Sequence, residues 1–249
     1  MAARKTQSSR IEELEDRIDD LEEQLGQDPD CYGRSGSAPQ VCSLPVLPER
    51  AFDAGVSSDR QRAILATGDK WVNGTNIHYF LFSSGLFGGA SDQRAVVQQA
   101  FQVWKDLGIG LNFTEVTDIR DAELRIGFLR NDGSWSYIGT VALRLGQQER
   151  TMNFGWDITQ AGPNGLDTAI HEIGHALGLG HTGSYNGSAS YGSDAHFAND
   201  SWQMSIMSYF SQSENTAVDA SFAYLATAQL ADIAAVHHLY GTPVDIETG

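Results

Sequence analysis

The stretch that decides the fold is His171-Glu172-Ile173-Gly174-His175-Ala176-Leu177-Gly178-Leu179-Gly180-His181. On an α-helix, positions 171 and 175 are one turn plus roughly 40° apart, so both imidazoles leave the same side and can share one metal ion. The other side carries Leu166, Ala169, Ile170, Ile173, Ala176 and Leu177, at the offsets of a stripe buried against a core. A continuing helix would carry His181 away from that point, so the helix must end after His175. Gly178 permits the turn, because glycine enters the left-handed conformation without a Cβ penalty. Three neutral imidazoles can then hold a Zn2+ ion at about 2.0–2.1 Å and leave the fourth tetrahedral corner for water, the mark of a catalytic site. Glu172 lies beside the ligands without having to be one, where it can act as general base and acid.

Downstream, Ser205-Ile206-Met207-Ser208-Tyr209 supplies a methionine-containing turn. The motif and this turn resemble the metzincin zinc endopeptidases. The form of the turn, the run from Gly183 through Tyr185-Asn186, and the closing Asp232-Ile233-Ala234-Ala235-Val236 to Leu239-Tyr240-Gly241 are most similar to the serralysin branch. Two positions depart from that pattern: Thr182 stands where serralysins usually have proline, and Ser184 where they usually have aspartate.

The resemblance implies an α+β domain with a twisted, mostly parallel five-stranded sheet, an antiparallel edge strand, a zinc helix and a C-terminal helix. It implies cleavage of internal peptide bonds through zinc-activated water, with Glu172 moving the proton. Met207 is implied as a hydrophobic floor beneath the imidazoles. Tyr209 is implied as an additional ligand at rest that turns to the developing oxyanion. The partner is a protein or peptide in extended conformation, laid along an edge strand somewhere in Ser136 to Leu145, and the setting is extracellular. The calcium-binding repeats that follow the serralysin protease domain do not appear before Gly249, so calcium dependence is not carried over. Two other readings stay open: a narrow-specificity maturation protease, and a zinc-bound but inactive protein-binding module.

Composition bounds these readings. The chain has 249 residues, 41% of them hydrophobic, which suffices for one large domain with extensions. A formal net charge of −16 opposes nucleic acid, since a polyanion would be repelled. No apolar run reaches the length of a membrane-spanning helix, and no apolar core follows the basic Met1 to Arg10, so an export signal would lie outside this stretch of chain or be of another kind.

The chain divides into an acidic amphipathic helix over 1–25, a linker or prosegment over 26–58, and a catalytic domain over 59–249. In the first part Ile11, Leu14, Ile18, Leu21 and Leu25 form a narrow seam between acidic residues, suited to self-association or to docking on the protease. In the second, Cys31 and Cys42 lie in a Gly/Pro/Ser-rich segment and read as a small disulfide loop, with a thiolate plug on the zinc as the alternative. Within the domain, strands are expected at 75–82, 111–116, 122–129, 141–145 and 151–156. Helices are expected at 91–107, capped by Ser91, along the zinc motif, capped by Asn164, and at 227–240, capped by Thr227. Gly183 to Gln203 reads as a loop rimming the cleft. His78, His196, His237 and His238 read as ordinary surface or structural histidines.

Overall fold

The computed structural model describes residues 69–144, 149–155 and 163–243. The acidic helix, the linker and the Cys31–Cys42 pair all lie outside those residues. The elements are β1 (Asn76–Leu81), α1 (Ser91–Lys105), β2 (Asn112–Glu115), β3 (Leu124–Gly127), β4 (Trp135–Ser136), α2 (Val141–Arg144), β5 (Met152–Asn153), α3 (Pro163–Ala176), α4 (Tyr191–Asp194) and α5 (Leu230–Tyr240). The sheet runs in the order β2-β1-β3-β5-β4. All neighbours are parallel except β4 and β5, which pair antiparallel with Trp135 opposite Asn153. This is the α+β arrangement expected from the sequence, with the antiparallel strand at an edge.

Strand β1 is central in its half of the sheet, and its alternation turns Ile77, Tyr79 and Leu81 inward. Helix α1 covers that face with Val97, Ala100, Phe101 and Trp104, and Tyr79 stacks on Phe101 at a centroid distance of 4.2 Å. The Trp104 indole N–H donates to the Ile170 carbonyl at 3.0 Å, which ties α1 to α3 through a bond inside the core. The expected stripe is there: Ala169, Ile170, Ile173 and Ala176 of α3 and Leu177 just beyond it are fully buried, and Leu166 is half-buried against the same core. Helix α5 closes the domain with Ala231, Ala235, Val236 and Leu239 inward, and Gly241 ends it at φ 90°.

Four local expectations are corrected. Val141, Leu143 and the residues between them form the short helix α2, not an edge strand. The reason lies just upstream, where Gly139 at φ 50° turns the chain and its N–H is taken by the His175 carbonyl at 2.8 Å, so an extended path cannot continue. An alternation only three residues deep did not distinguish strand from one helical turn. The edge strand is instead β4, at the start of the segment proposed for it. Helix α1 is capped by Ala90, whose N–H donates to the Gln93 side chain at 2.7 Å, rather than by Ser91. Asn164 lies inside α3, one residue after Pro163, a placement that suits proline at a first helical position. Helix α5 starts after Gln229, not Thr227, because Asp232 reaches back to the Gln229 N–H at 2.8 Å.

Candidate active site and metal centre

Each imidazole of the motif is held by a carbonyl on its inner nitrogen. His171 Nδ1 donates to Ile206 O at 2.8 Å, His175 Nδ1 to Leu179 O at 2.7 Å, and His181 Nδ1 to Tyr185 O at 2.9 Å. A proton on Nδ1 leaves Nε2 with its lone pair, so these three bonds set both the tautomer and the aim of the rings. The ligand atoms of the three residues lie within 4.8 Å of one another, and His175 Nε2 is 3.1 Å from His181 Nε2. Burial, the largest cause in each case, pushes the imidazoles below their ordinary range: His171 to about 4, His175 well down, and His181 down. Neutral rings with converging lone pairs repel unless a cation sits between them. The donor set is three nitrogens on a rigid frame, which fits zinc.

The turn after the helix makes this possible. Gly178 is at φ 97°, and the Leu179 N–H reaches back to the Gly174 carbonyl at 3.0 Å. A Cβ at Gly178 would stand 2.5 Å from the Asp69 carbonyl oxygen, so the chain passes where only glycine fits. At Gly174 the missing Cβ leaves room for Met207, whose Sδ would lie 2.7 Å from it. Met207 is fully buried, with its thioether against Gly174 of the helix that carries His171 and His175.

Glu172 is 6% exposed and faces a cavity of about 440 Å³ lined also by Ser134, Asp167, His171, Trp202, Ile206 and Tyr209. Burial pushes its carboxyl up to about 8. Tyr209 is half-buried across from it, its ring 4.4 Å from that of His181, and its hydroxyl accepts from the Gly187 N–H at 3.3 Å. The structure thus gathers the residues singled out in the sequence: His171, His175, His181, Glu172 and Tyr209 lie near one another, and Met207 packs against Gly174. His78, His196 and His237 hydrogen-bond elsewhere, to Glu123, the Ser184 N–H and the Leu107 carbonyl.

Two buried aspartates that sequence reading passed over, at least as site residues, hold the frame. Asp232 accepts from Ser205 Oγ at 2.6 Å and from the Ile206 N–H at 2.8 Å, and Ile206 is the residue whose carbonyl orients His171. Asp200, fully buried, accepts from Thr182 Oγ1, from the Tyr185 hydroxyl at 3.1 Å and from Ser208 Oγ at 2.7 Å. It joins the chain after the third histidine to the methionine turn. Thr182, the departure from proline, is thereby satisfied as a hydrogen-bond donor, so the loop is held by a side chain where a rigid ring would otherwise stand. The one signal in the sequence is Asp232, a lone acid within the apolar run from Leu230 to Val236; Asp200 lies among polar neighbours that do not mark it.

Comparison with known proteins agrees with this geometry. Residues 70–189 match the Matrixin family of peptidases. Serralysin C of Dickeya chrysanthemi is 36% identical over 172 residues, covering 64% of this chain and 35% of the relative. Serralysin of Photorhabdus luminescens is 34% identical over 164 residues, covering 60% and 32%. The chain therefore spans about a third of the length of these relatives. A solved structure of myroilysin superposes with a TM-score of 0.54 and 26% identity, covering 72% of this chain and 99% of that one. With the three-histidine centre, the glycine turn and the methionine turn in place, the chain is similar to the metzincin zinc metalloproteases, and among them to the serralysins.

Proposed function

We propose that the chain is a zinc-dependent endopeptidase that hydrolyses internal bonds of extended polypeptides. The observation that carries this is the convergence of three Nε2 lone pairs beside a buried carboxylate in an open cavity. His171, His175 and His181 would hold a zinc ion, which would supply Lewis acidity to a scissile carbonyl and acidify water there. Glu172 accepts a proton from the attacking water and returns it to the departing nitrogen, one group serving as base and then acid. Its burial keeps bulk water from competing for the proton. Tyr209 faces the same space with a hydroxyl donor on a ring packed against His181, placed to hydrogen-bond the developing oxyanion. Met207, packed against Gly174 between His171 and His175 in the chain, serves as the hydrophobic floor of the site.

The substrate pairs with the outer edge of β4, which lies next to Ser134 in the cavity wall. Main-chain hydrogen bonds there hold any extended segment, and side-chain pockets select among them. Export from the cell and self-association through residues 10–25 belong to the same proposal. They rest on the serralysin likeness and on the heptad-like seam, and are tested by fractionating culture medium and by light scattering of the full chain.

The decisive experiment is cleavage of an internally quenched peptide with and without a chelator, followed by zinc add-back. Zinc-restored cleavage is expected. Folded, zinc-loaded protein that binds peptides without cutting them would instead support the inactive binding module.

A further inference from the structure

Beside the cavity stands an aromatic group that the chemistry above does not use. Trp202 lines the cavity. It is fixed on the methionine turn, its backbone N–H donating to Phe210 O at 2.9 Å and its indole N–H to Ser208 O at 2.9 Å. Its ring lies at a centroid distance of 5.8 Å from Phe222 and 6.4 Å from Tyr224, and these two meet each other edge to face at 4.7 Å. Phe222 is 48% exposed and Tyr224 41% exposed.

The exposure is held in place by a specific device. Between the two rings, Ala223 is gripped at both backbone groups by one side chain: Gln212 Oε1 accepts from the Ala223 N–H at 3.2 Å, and Gln212 Nε2 donates to the Ala223 carbonyl at 3.1 Å. Gln212 itself is 7% exposed. This two-point clamp does the work of a strand partner for a segment that has no helix or strand of its own. Neighbours two residues apart then fall on one side, and both reach Trp202. Leaving two aromatic rings half in water forgoes the favourable transfer of their apolar surface, while the clamp spends a buried amide to keep them there.

We infer that Trp202, Phe222 and Tyr224 form an aromatic subsite, continuous with the cleft, that takes an apolar or aromatic side chain of the substrate one or more residues beyond the one filling the cavity. The inference rests on the endopeptidase reading and deepens it, naming substrates with a bulky apolar residue at a fixed distance from the cut. The rings offer faces and edges at the spacing that aromatic pairs prefer, and Trp202 links subsite and cavity as one surface.

The test uses the zinc-loaded full chain and a peptide series in which a single Phe is moved through the positions flanking the cleaved bond, each compared with its Ala twin. At one position wild type is expected to favour Phe about tenfold in kcat/KM, the scale of one aromatic contact. Phe222→Ala/Tyr224→Ala is expected to bring that ratio close to one. Val72→Ala, which removes another exposed apolar side chain, is expected to leave the ratio as in wild type. An unchanged Phe/Ala ratio in the double variant overturns the inference. So does an equal loss on all peptides accompanied by a lowered melting temperature, which would make the group a brace for the methionine turn. If zinc-loaded wild type cuts no peptide, the endopeptidase reading fails by itself. The subsite is then judged by fluorescence anisotropy on Glu172→Gln protein, where equal affinity for Phe and Ala peptides, with or without the two rings, overturns it.

Discussion

Gly178→Ala tests whether the turn after the zinc helix is as constrained as its geometry implies. Two separable costs act there. At φ 97° an alanine must adopt the left-handed conformation, for about 1–2 kcal/mol. Its Cβ would also stand 2.5 Å from the Asp69 carbonyl oxygen and 3.6 Å from Leu239 Cδ1. Relieving the first contact moves backbone, not a flexible side chain, at about 1–3 kcal/mol. The sum is about 2–5 kcal/mol of lost stability. Gly74→Ala separates the two, because Gly74 is at φ 84° with nothing within 4 Å of its would-be Cβ, so it carries the first cost alone. The assay is guanidinium denaturation of both variants and wild type with zinc present, paired with zinc competition by a fluorescent chelator. Gly178→Ala is also expected to bind zinc at least tenfold more weakly, because the shifted turn carries the Leu179 carbonyl away from His175 Nδ1. Equal stability of the two glycine variants, or unchanged zinc affinity in Gly178→Ala, would refute the reasoning.

Other outcomes follow from the same site. Glu172→Gln is expected to keep its zinc and lose turnover by about 10²–10⁴, read by metal analysis and peptide cleavage on one sample; substantial retained activity would remove Glu172 from proton transfer. Tyr209→Phe is expected to lower kcat by about 10²–10³ with KM little changed, and an unchanged kcat would remove the oxyanion role. Asp232 has its carboxyl pushed up to about 6 by burial, an effect opposed by its hydrogen bonds from Ser205, Ile206 and Gln229. A folded-state value above the ordinary 3.8 means that the native protein holds the proton more tightly. The stability this contributes is full below pH 4 and is lost as pH rises through about 6. Relative to Asp232→Asn, wild type should therefore lose stability between pH 4 and pH 7, by up to about 3 kcal/mol. Denaturation curves across that range check it, and a relative gain with rising pH would contradict it.

Much of this site was legible because its spacing is set by helix geometry. Once His171 and His175 share a face, the third ligand requires a chain reversal, and Gly178 is the residue that permits one. The stripe from Ala169 to Leu177 followed from the same period. The strands at 76–81, 112–115 and 124–127 were legible from their apolar content. What was not legible depended on contacts far apart in sequence. The reversal at Gly139 is enforced by the His175 carbonyl, 36 positions later, and nothing local to Val141 announces it. The aspartates at 200 and 232 act on residues 18 and 27 positions away, at Thr182 and Ser205. The caps of α1 and α5 lie one and two residues from the expected positions because Gln93 and Asp232 reach back over the first turn, which side-chain identity at the boundary does not reveal.

The most direct measurement is the structure of zinc-loaded protein with anomalous scattering recorded at the zinc edge. One peak is expected, within bonding distance of Nε2 of His171, His175 and His181, with Glu172 beside it. Folded protein showing no peak there, or a peak with His181 turned away from it, would contradict the account.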